Sequence, residues 1–271
     1  MSKRIELLII DPQIDFCDPV RGTLYVPGAE HDMCRLAAMI VRLKDKIDDI
    51  HITLDSHHFV HIAHPVFWKD SRGQNPPPFT TITRRDVEEG VWTTVQPGLY
   101  RRALDYVRQL EANSRYDLTI WNPHCLIGSP GHAVFPELFS ALLEWERRFA
   151  FVDYVTKGSN LMTEHYSAVQ ADVPDPSDPS TQINTRLIQT LQNADIILVA
   201  GEARTHCLAN TVRDIVSNFG DDSLVSKLVL LTDASSDIPG FESHAQSFLS
   251  EMTGRGMQLS TTTDFLNQGF G

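Results

Sequence analysis

The stretch Leu7-Leu8-Ile9-Ile10-Asp11-Pro12-Gln13 decides the fold of this chain of 271 residues. Four consecutive aliphatic residues end at an aspartate, and a second run of the same kind, Ile196-Ile197-Leu198-Val199, lies far downstream. Strands that are apolar on both faces are typical of a parallel sheet covered by helices on each side. The sequence therefore predicts an α/β fold with buried central strands.

Outward from these two runs, short apolar segments alternate with longer amphipathic ones, as expected when crossover helices join parallel strands. The predicted strands are Ile5–Ile10, Asp49–Leu54, Leu118–Trp121, Phe149–Val155, Ile196–Ala200 and Leu228–Thr232. The predicted helices are Ala29–Leu43, Gly98–Ala112, Val134–Arg147, Ser180–Gln192, Thr205–Asn218 and Ser243–Thr253. We expect a three-layer sandwich with a central six-stranded, mostly parallel sheet and helices on both faces.

A single domain over residues 1–271 is expected, because this length suits one large α/β unit. Two stretches interrupt the alternation of strands and helices. Residues 69–97 contain Asn75-Pro76-Pro77-Pro78 and have no strong periodicity, which predicts an insertion or a lid. Residues 172–179 interleave prolines with acids and predict a turn-rich linker inside the domain.

The composition bounds the class of protein and of partner. A hydrophobic content of 42% with 21% charged residues suits a globular chain with a sizeable core. The 23 basic and 35 acidic residues give a formal charge of -12, which disfavours nucleic acid and anionic membranes as partners. Four widely spaced cysteines, no signal peptide and no apolar run of membrane-spanning length predict a reduced, cytoplasmic protein. The sequence leaves the oligomeric state open, a homo-oligomer included.

Polar side chains follow the predicted strands at the points where those strands end. Ligands of open parallel sheets bind at the carboxyl ends of the strands, so these side chains should face one crevice. Taken singly, each has an ordinary explanation, such as a turn cap, a solvated lysine or a buried small thiol. The residues concerned are Asp11, Asp55, His57, His124, Lys157 and, beyond the fifth strand, Cys207.

Five motifs occur in an order that resembles the isochorismatase-like cysteine hydrolases, and among them most closely the nicotinamidases and pyrazinamidases. The opening resemblance is an aspartate that ends the first strand, followed by an Asp-Phe pair. The matching segments are Leu7 to Phe16, Asp55-Ser56-His57, Trp121-Asn122-Pro123-His124-Cys125, Lys157-Gly158 and Gly201-Glu202-Ala203-Arg204-Thr205-His206-Cys207. The resemblance spans nearly the whole chain, from the first strand to the last.

The resemblance implies a cysteine-dependent amidohydrolase with Cys207 as nucleophile and Asp11 and Lys157 as its acid/base partners. The physical chemistry agrees, because an ordinary thiol with a pKa of about 8.5 needs a base, a cation or a helix N-terminus for activation. By the same resemblance, the backbone N–H groups of Ala203 and Cys207 form an oxyanion hole, beside a non-proline cis peptide between Glu202 and Ala203.

The resemblance also implies a metal ion. Asp55, His57 and His124 are its expected ligands, with His61 as candidate fourth ligand, and this donor set suits zinc, with manganese or iron as alternatives. His58 and His64 are predicted to be surface residues. Nicotinamide, or a related pyridine carboxamide, would become the acid plus ammonia through a thioester. Its ring is expected between two aromatic side chains, Phe16 and Trp121, for which core packing is the competing explanation.

Several features keep other functions open. Ser56 replaces an aromatic residue usual in the family, Arg204-Thr205 replaces a common Thr-Asp, and His206 replaces a usual Tyr or Val. A metal-independent carbamoyl or ureido amidohydrolase of the same superfamily is one alternative. A non-catalytic binding module is another, although the Gly-rich turn of a dinucleotide site is absent after the first strand. Isochorismatases proper generally lack the cysteine. The other three cysteines, Cys17, Cys34 and Cys125, are expected to be inert or structural.

Overall fold

The computed structural model describes residues 3–113 and 115–267. The strands of these residues are β1 Ile5–Ile10, β2 Asp49–Asp55, β3 Trp68–Lys69, β4 Thr81–Ile82, β5 Thr93–Thr94, β6 Leu118–Thr119, β7 Asp153–Lys157, β8 Ile196–Gly201, β9 Leu228–Leu231 and β10 Gln258–Ser260. The α-helices are α1 Ile14–Cys17, α2 Ala29–Leu43, α3 Arg84–Glu88, α4 Tyr100–Ala112, α5 Pro136–Glu146, α6 Thr185–Gln192, α7 Cys207–Asn218 and α8 Glu242–Gly254.

The central sheet has six parallel strands in the order β10-β9-β8-β1-β2-β7. Strands β1 and β8 lie in its middle and are buried along their whole length, as their aliphatic runs predict. Their register pairs Ile5 with Ile196 and Ile10 with Gly201, so both strands end at the same level. The carboxyl ends of the two decisive runs therefore lie side by side.

Helices cover both faces of this sheet. The chain moves from β1 to β2 in one direction and from β8 through β9 to β10 in the other. Because such crossovers are right-handed, the helices of the two halves lie on opposite faces. Accordingly, α2 packs against α5 and α7 packs against α8. The strand order reverses between β1 and β8, and a reversal of this kind creates a crevice at the carboxyl ends of the two strands. The predicted three-layer α/β sandwich is confirmed.

One predicted strand of the central sheet was wrong. The segment Leu118–Trp121 does not join that sheet; its first two residues form β6, which pairs antiparallel with β4. The sixth position belongs instead to β10 at the edge beside β9. Two of the three residues of β10 are exposed, so its sequence Gln-Leu-Ser carries no apolar run. A short edge strand of this kind gives no periodic signal in the sequence.

Local backbone chemistry explains the shifted boundaries of other elements. Helix α6 starts at Thr185 rather than at the predicted Ser180, because the side chain of Asn184 accepts a hydrogen bond from the N–H of Leu187 and caps the helix. Strand β7 starts at Asp153 rather than at the predicted Phe149, whose φ of 62° is incompatible with a strand. Helix α2 has the predicted bounds.

Residues 69–97 are not structureless. They contain β4, α3 and β5, and β5 pairs antiparallel with β3. Thr83 caps α3 through a capping box with Asp86, which satisfies two N–H groups of the first turn. None of the helices in the described residues combines the length and apolar character that crossing a lipid bilayer requires.

Candidate active site

Lys157 is the centre of a buried ionic cluster at the carboxyl ends of β1, β2 and β7. Its Nζ lies 2.8 Å from Asp11 Oδ2 and 3.2 Å from Asp55 Oδ1. The same Nζ donates to the sulfur of Cys207 at 3.6 Å. The side chains of Lys157 and Asp11 are 1% and 0% exposed, so solvent does not screen their attraction. The structure thus brings a carboxylate, an ammonium and a thiol from three separate segments into contact.

The backbone around Asp11 is unusual. Its φ is 43°, in the left-handed region that few residues other than glycine adopt. The hydroxyl of Thr53 accepts from the Asp11 N–H at 3.0 Å and donates to Asp11 Oδ1 at 2.5 Å, which fixes the carboxylate. At the end of β8, a Cβ on Gly201 would lie 2.0 Å from the carbonyl oxygen of Ile10, so only glycine allows this approach of the two strands.

Burial and charge set the protonation of this cluster. Burial raises the pKa of Cys207 well above its usual range, against the opposing effect of the Lys157 charge. Burial also raises the pKa of Asp11, although the Lys157 ammonium lowers it in part. The pKa of Lys157 is raised well above normal because Asp11 and Asp55 together outweigh the cost of burial. The resting site therefore holds a neutral thiol beside a charged lysine and an aspartate of raised proton affinity.

The turn that carries Cys207 runs from Gly201 to the start of α7. Helix α7 begins at Cys207, two residues later than predicted, so the thiol stands at the helix N-terminus. The peptide bond between Glu202 and Ala203 is cis, as the family resemblance implies. Neither the Ala203 N–H nor the Cys207 N–H donates to an acceptor among the described residues. Two backbone donors are thus left free beside the sulfur, the arrangement that an oxyanion hole requires.

Three histidines present one ring nitrogen each toward a common point. In His57, His64 and His124, Nδ1 lies within hydrogen-bond distance of a backbone carbonyl, so Nε2 is the nitrogen that faces the shared point. The acceptors are, in the same order, the carbonyl oxygens of Gly158, Phe59 and Asn122, at 3.0, 3.1 and 2.7 Å. The ligand atoms of the three histidines lie within 4.8 Å of one another. Such an arrangement is what a metal ion needs from imidazole ligands.

Asp55 completes this group. Its Oδ2 lies 3.0 Å from His57 Nε2 and 3.2 Å from His124 Nε2. Burial alone would raise the pKa of Asp55, but the nearby His57 and Lys157 charges lower it well below its usual range. Burial opposes the charge on His57, yet Asp55 outweighs it and raises that pKa to about 9. The buried carboxylate is therefore ionised and able to hold a cation.

Gln13 and Gly158, both part of the sequence motifs, hold Asp55 in place. The side-chain amide of Gln13 accepts from the Asp55 N–H and donates to the Asp55 carbonyl, both at 2.7 Å. A Cβ on Gly158 would lie 2.7 Å from Asp55 Oδ1, and its φ is 87°, so only glycine fits behind the carboxylate. The glycine that the family resemblance places after Lys157 is therefore required for steric reasons.

The prediction that His64 is a surface residue was wrong. His64 is fully buried, and its Nε2 has no hydrogen-bond partner among the described residues. Burial, with the neighbouring His124 and His57, lowers its pKa to about 3, so it is a neutral imidazole. His61 is also buried, but both of its ring nitrogens are engaged, with the Thr163 carbonyl and the Ala63 N–H. His58 is exposed, as expected.

Glu164 is the most conspicuous residue that sequence reasoning missed. It is 4% exposed, and its Oε1 accepts from the His165 N–H and lies 3.9 Å from His57 Nε2. Its Oε2 has no hydrogen-bond partner among the described residues. With His57 and His61 it forms a second group of closely spaced ligand atoms. The only sequence signal is a glutamate shortly after the strand that ends at Lys157.

A small cavity of about 20 Å³ touches the sulfur of Cys207. Phe16 and Trp121, both predicted to hold a ring, line it, and the phenol of Tyr166 accepts a hydrogen bond from Trp121 Nε1 at 2.9 Å. His206 also lines the cavity and contacts Trp121 at 5.2 Å between ring centroids. The other lining residues are Leu24, Asp55, His124, Glu164, Ala203 and Ile238. The cavity is thus lined by aromatic rings as well as by the carboxylates of Asp55 and Glu164.

Two departures from the family pattern lie outside the cavity lining. The Ser56 hydroxyl bonds to the Leu54 carbonyl and to His132 Nε2, at 3.0 and 2.8 Å. The guanidinium of Arg204 forms a bidentate pair with Asp237, at 2.9 and 2.8 Å. Neither residue lines the cavity beside Cys207, unlike the third departure, His206.

The other cysteines are separate from the thiol of the site. All four are free, and only Cys34 is exposed. The Cys125 N–H donates to Asp15 Oδ2 at 2.6 Å, which holds the turn after His124. Burial raises the pKa of both Cys17 and Cys125 well above normal, and neither thiol has the lysine contact that Cys207 has.

Comparison with known proteins adds a fold likeness to this geometry. No protein-family model and no curated protein sequence matches the chain. Among solved structures, a nicotinamidase/pyrazinamidase of Acinetobacter baumannii aligns over 97% of this chain and 98% of its own, at 20% identity and a TM-score of 0.65. The yeast nicotinamidase aligns over 94% of this chain and 98% of its own, at 17% identity and a TM-score of 0.64. A Pyrococcus horikoshii pyrazinamidase in complex with zinc aligns over 95% of this chain and 99% of its own, at 17% identity and a TM-score of 0.54. The chain shares the fold of these proteins over nearly its whole length.

Proposed function

We propose that this protein is a metal-assisted cysteine amidohydrolase that converts nicotinamide, or a related pyridine carboxamide, to the acid plus ammonia. The observation that carries the proposal is the contact of Lys157 with both the Asp11 carboxylate and the Cys207 sulfur, at 2.8 and 3.6 Å. The shared fold with nicotinamidases and pyrazinamidases supports the same class of reaction.

The three residues divide the chemistry between them. Asp11 takes the proton of the Cys207 thiol, and Lys157 stabilises the thiolate that results. The sulfur then attacks the amide carbon, and the Ala203 and Cys207 N–H groups bind the negatively charged oxygen of the tetrahedral adduct. Asp11 returns its proton to the nitrogen as the carbon–nitrogen bond breaks, which releases ammonia and leaves a thioester. Water, deprotonated by Asp11, cleaves the thioester and gives the acid and the free thiol.

The metal site of the proposal consists of Asp55, His57 and His124, with His64 rather than His61 as fourth ligand. His64 fits because its Nε2 is buried, free and turned to the same point as the other two imidazoles. The donor set suits zinc, with manganese or iron as alternatives. Such a cation supplies, when bound, an anchor for the ring nitrogen of a pyridine substrate.

Aromatic side chains would hold the substrate ring over the sulfur. Phe16 packs against His124 with ring centroids 5.3 Å apart, next to the proposed metal ligands. Trp121 lines the same cavity and is fixed by its hydrogen bond to Tyr166. The cavity that these side chains line also contains Cys207, which places the aromatic residues next to the proposed nucleophile.

The segment 69–97 belongs to the same proposal, as an insertion that supports this wall within a single domain. Phe79 contacts Trp121 edge-on, with ring centroids 5.7 Å apart. The pairing of β4 with β6 ties the segment to the stretch that carries Trp121. The four free cysteines fit a reducing compartment such as the cytoplasm.

An ammonia-release assay tests the proposal. Wild-type protein would be incubated with nicotinamide, pyrazinamide, carbamoylsarcosine and ureidoacrylate, with and without added zinc. We expect turnover of the two aromatic amides, stimulation by metal, and no turnover by a folded Cys207→Ala variant. Cys34→Ala is the matched control, because it also removes a thiol but one remote from the cavity. Metal-independent turnover of the carbamoyl or ureido compound alone would replace the proposal by that alternative.

A further inference from the structure

A second pair of acidic residues is buried beside the turn from Gly201 to Cys207, here called the nucleophile turn. Glu202, the residue before the cis peptide, is 0% exposed. Its backbone N–H donates to the Ile10 carbonyl at 2.8 Å, and its Oε2 accepts from the Ser236 N–H at 3.1 Å. The reaction proposed above makes no use of this carboxyl group.

The neighbour of Glu202 is Asp32 of helix α2, which is 3% exposed and binds the hydroxyl of Ser236, the same residue whose N–H donates to Glu202. The Asp32 carboxylate is already served by two donors, Arg35 Nη2 on Oδ1 and the Ser236 hydroxyl on Oδ2, both at 2.5 Å. In contrast, Glu202 Oε1 has no hydrogen-bond donor among the described residues. A proton between the two carboxyl groups would satisfy it, since two carboxylates in contact cannot both stay ionised.

We propose that Glu202 is a positioning residue for the nucleophile turn, and that it acts as a neutral carboxylic acid sharing its proton with the Asp32 carboxylate. The inference rests on the proposed function, because it concerns the geometry of the same reaction. It assigns Glu202 no contact with substrate.

Glu202 can position the turn because of a neighbouring segment. This segment, residues 234–238, follows β9 and is here called the strap. The Gly201 N–H donates to the Ala234 carbonyl at 2.8 Å, and the Arg204 N–H donates to the Ser236 carbonyl at 2.9 Å. Glu202 and Asp32 bind Ser236 from two sides, through its N–H and its hydroxyl. The carboxyl pair therefore fixes the strap to helix α2 and, through the strap, the turn that carries the free N–H of Ala203.

Few other ionisable groups face Glu202. Asp32 approaches from α2, Cys17 from α1 and Arg204 from the turn itself. Burial, and next the Asp32 charge, raise the pKa of Glu202 well above its usual range, against a weaker opposing effect of Arg204. The folded protein thus keeps a proton that the unfolded chain releases above about pH 4.3. The stability of the fold must therefore fall as the pH rises from that value toward the raised pKa.

Glu202→Gln tests this role. A glutamine cannot ionise, yet its amide can donate to Asp32 and its oxygen can accept from Ser236, so we expect kcat close to wild type. The pH-dependent loss of stability above the ordinary glutamate range should shrink in this variant. Glu202→Ala should lower kcat by roughly 10²-fold, the cost of misplacing reacting groups by about 1 Å, with little change in KM. Glu6→Gln is the matched control for kcat, since it makes the same change at an equally buried glutamate at the other end of the sheet.

Urea unfolding between pH 5 and 9, steady-state kinetics and the rate of Cys207 alkylation by iodoacetamide provide the readouts. A pH dependence of stability in Glu202→Gln identical to that of wild type overturns the proposal. So does a folded Glu202→Ala variant with unchanged kcat. If Glu202→Ala does not fold, the Gln variant alone decides. The unfolding and alkylation measurements need no substrate, so failure of the proposed amidase activity is distinguishable from failure of this inference.

Discussion

The two ends of the central sheet each hold a buried cluster of charges, yet only one has the makings of a catalytic site. At the amino end, Glu6 on β1 faces Arg4 at 2.9 Å and His51 on β2 at 3.3 Å. The other ring nitrogen of His51 faces Asp153 at 3.1 Å. At the carboxyl end of the same strands, Asp11 and its neighbours surround Lys157. Both ends thus have buried carboxylates paired with cations.

The difference lies in what is left without a partner. At the amino end each charged atom faces an opposite charge, and Arg4 extends to solvent with 47% of its side chain exposed. At the carboxyl end the N–H groups of Ala203 and Cys207 and the Nε2 of His64 have no hydrogen-bond partner among the described residues. Holding buried polar groups without hydrogen-bond partners lowers the stability of the fold. Buried ion pairs alone are therefore weak evidence of function, whereas unpartnered donors around a cavity are strong evidence.

The largest expected effect is on Asp11. Asp11→Asn should lower kcat/KM by about 10³-fold, within the usual contribution of a general acid–base group, because an amide cannot take the thiol proton. Glu6→Gln makes the same chemical change on the same strand and should leave activity near wild type. It should lower stability by about 1 to 3 kcal/mol, since it disturbs the pairing of Arg4 and His51. Steady-state assays and urea unfolding check both; equal loss of activity in the two variants would contradict the comparison.

A smaller effect is expected at the histidines. His64→Ala should weaken binding of zinc by about 100-fold, at the upper end of what loss of a supporting partner causes in metal sites, because it removes a free ligand nitrogen. His61→Ala should bind zinc almost as wild type does, because both ring nitrogens of His61 are engaged elsewhere.

Competition titrations with a zinc chelator measure these affinities directly, without reference to activity. The His61 variant is the matched control, since it removes a buried imidazole from the same loop. A larger loss of zinc affinity in His61→Ala than in His64→Ala would reverse the assignment of the fourth ligand.

The smallest effect concerns the amino end. Burial opposes the charged form of His51, but Glu6 and Asp153 outweigh it and raise its pKa. A raised pKa means that the stabilisation is fully present below the ordinary histidine value of about 6.5 and is lost as the pH rises through the folded value. His51→Gln should remove that part of the pH dependence of urea unfolding. The His58→Gln variant, changed at an exposed histidine, should retain this pH dependence. If His51→Gln retained it as well, the amino-end ion pairs would contribute nothing to the pH dependence of stability.

The sequence predicted the fold well where apolar runs are long and failed where they are short. Strands β1 and β8 follow from their aliphatic residues alone. Strand β10 has two exposed residues of three and is recognisable only from its pairing with β9. Conversely, the start of the apolar segment Leu118–Trp121 pairs with β4 in a second small sheet. A segment buried there has the same apolar sequence pattern as a strand of the central sheet.

The candidate site divides in the same way. Residues that directly follow a strong strand are placed by the strand itself, which is why Asp11, Asp55 and Lys157 meet as expected. Glu164 and His64 lie in loops, and a loop carries no periodicity that fixes where its side chains point. Only their burial and unpartnered atoms reveal them.

By itself, the sequence determined the parallel α/β sheet and the set of polar residues at its carboxyl edge, because aliphatic runs must be buried and strands of one direction end together. The tertiary structure alone decided which histidine nitrogens are free, and that Glu202 and Asp32 both bind Ser236 beside the nucleophile turn. Hydrogen bonds to carbonyls of distant segments, and the contact of Ser236 with Asp32, depend on how the chain packs, which local sequence does not encode.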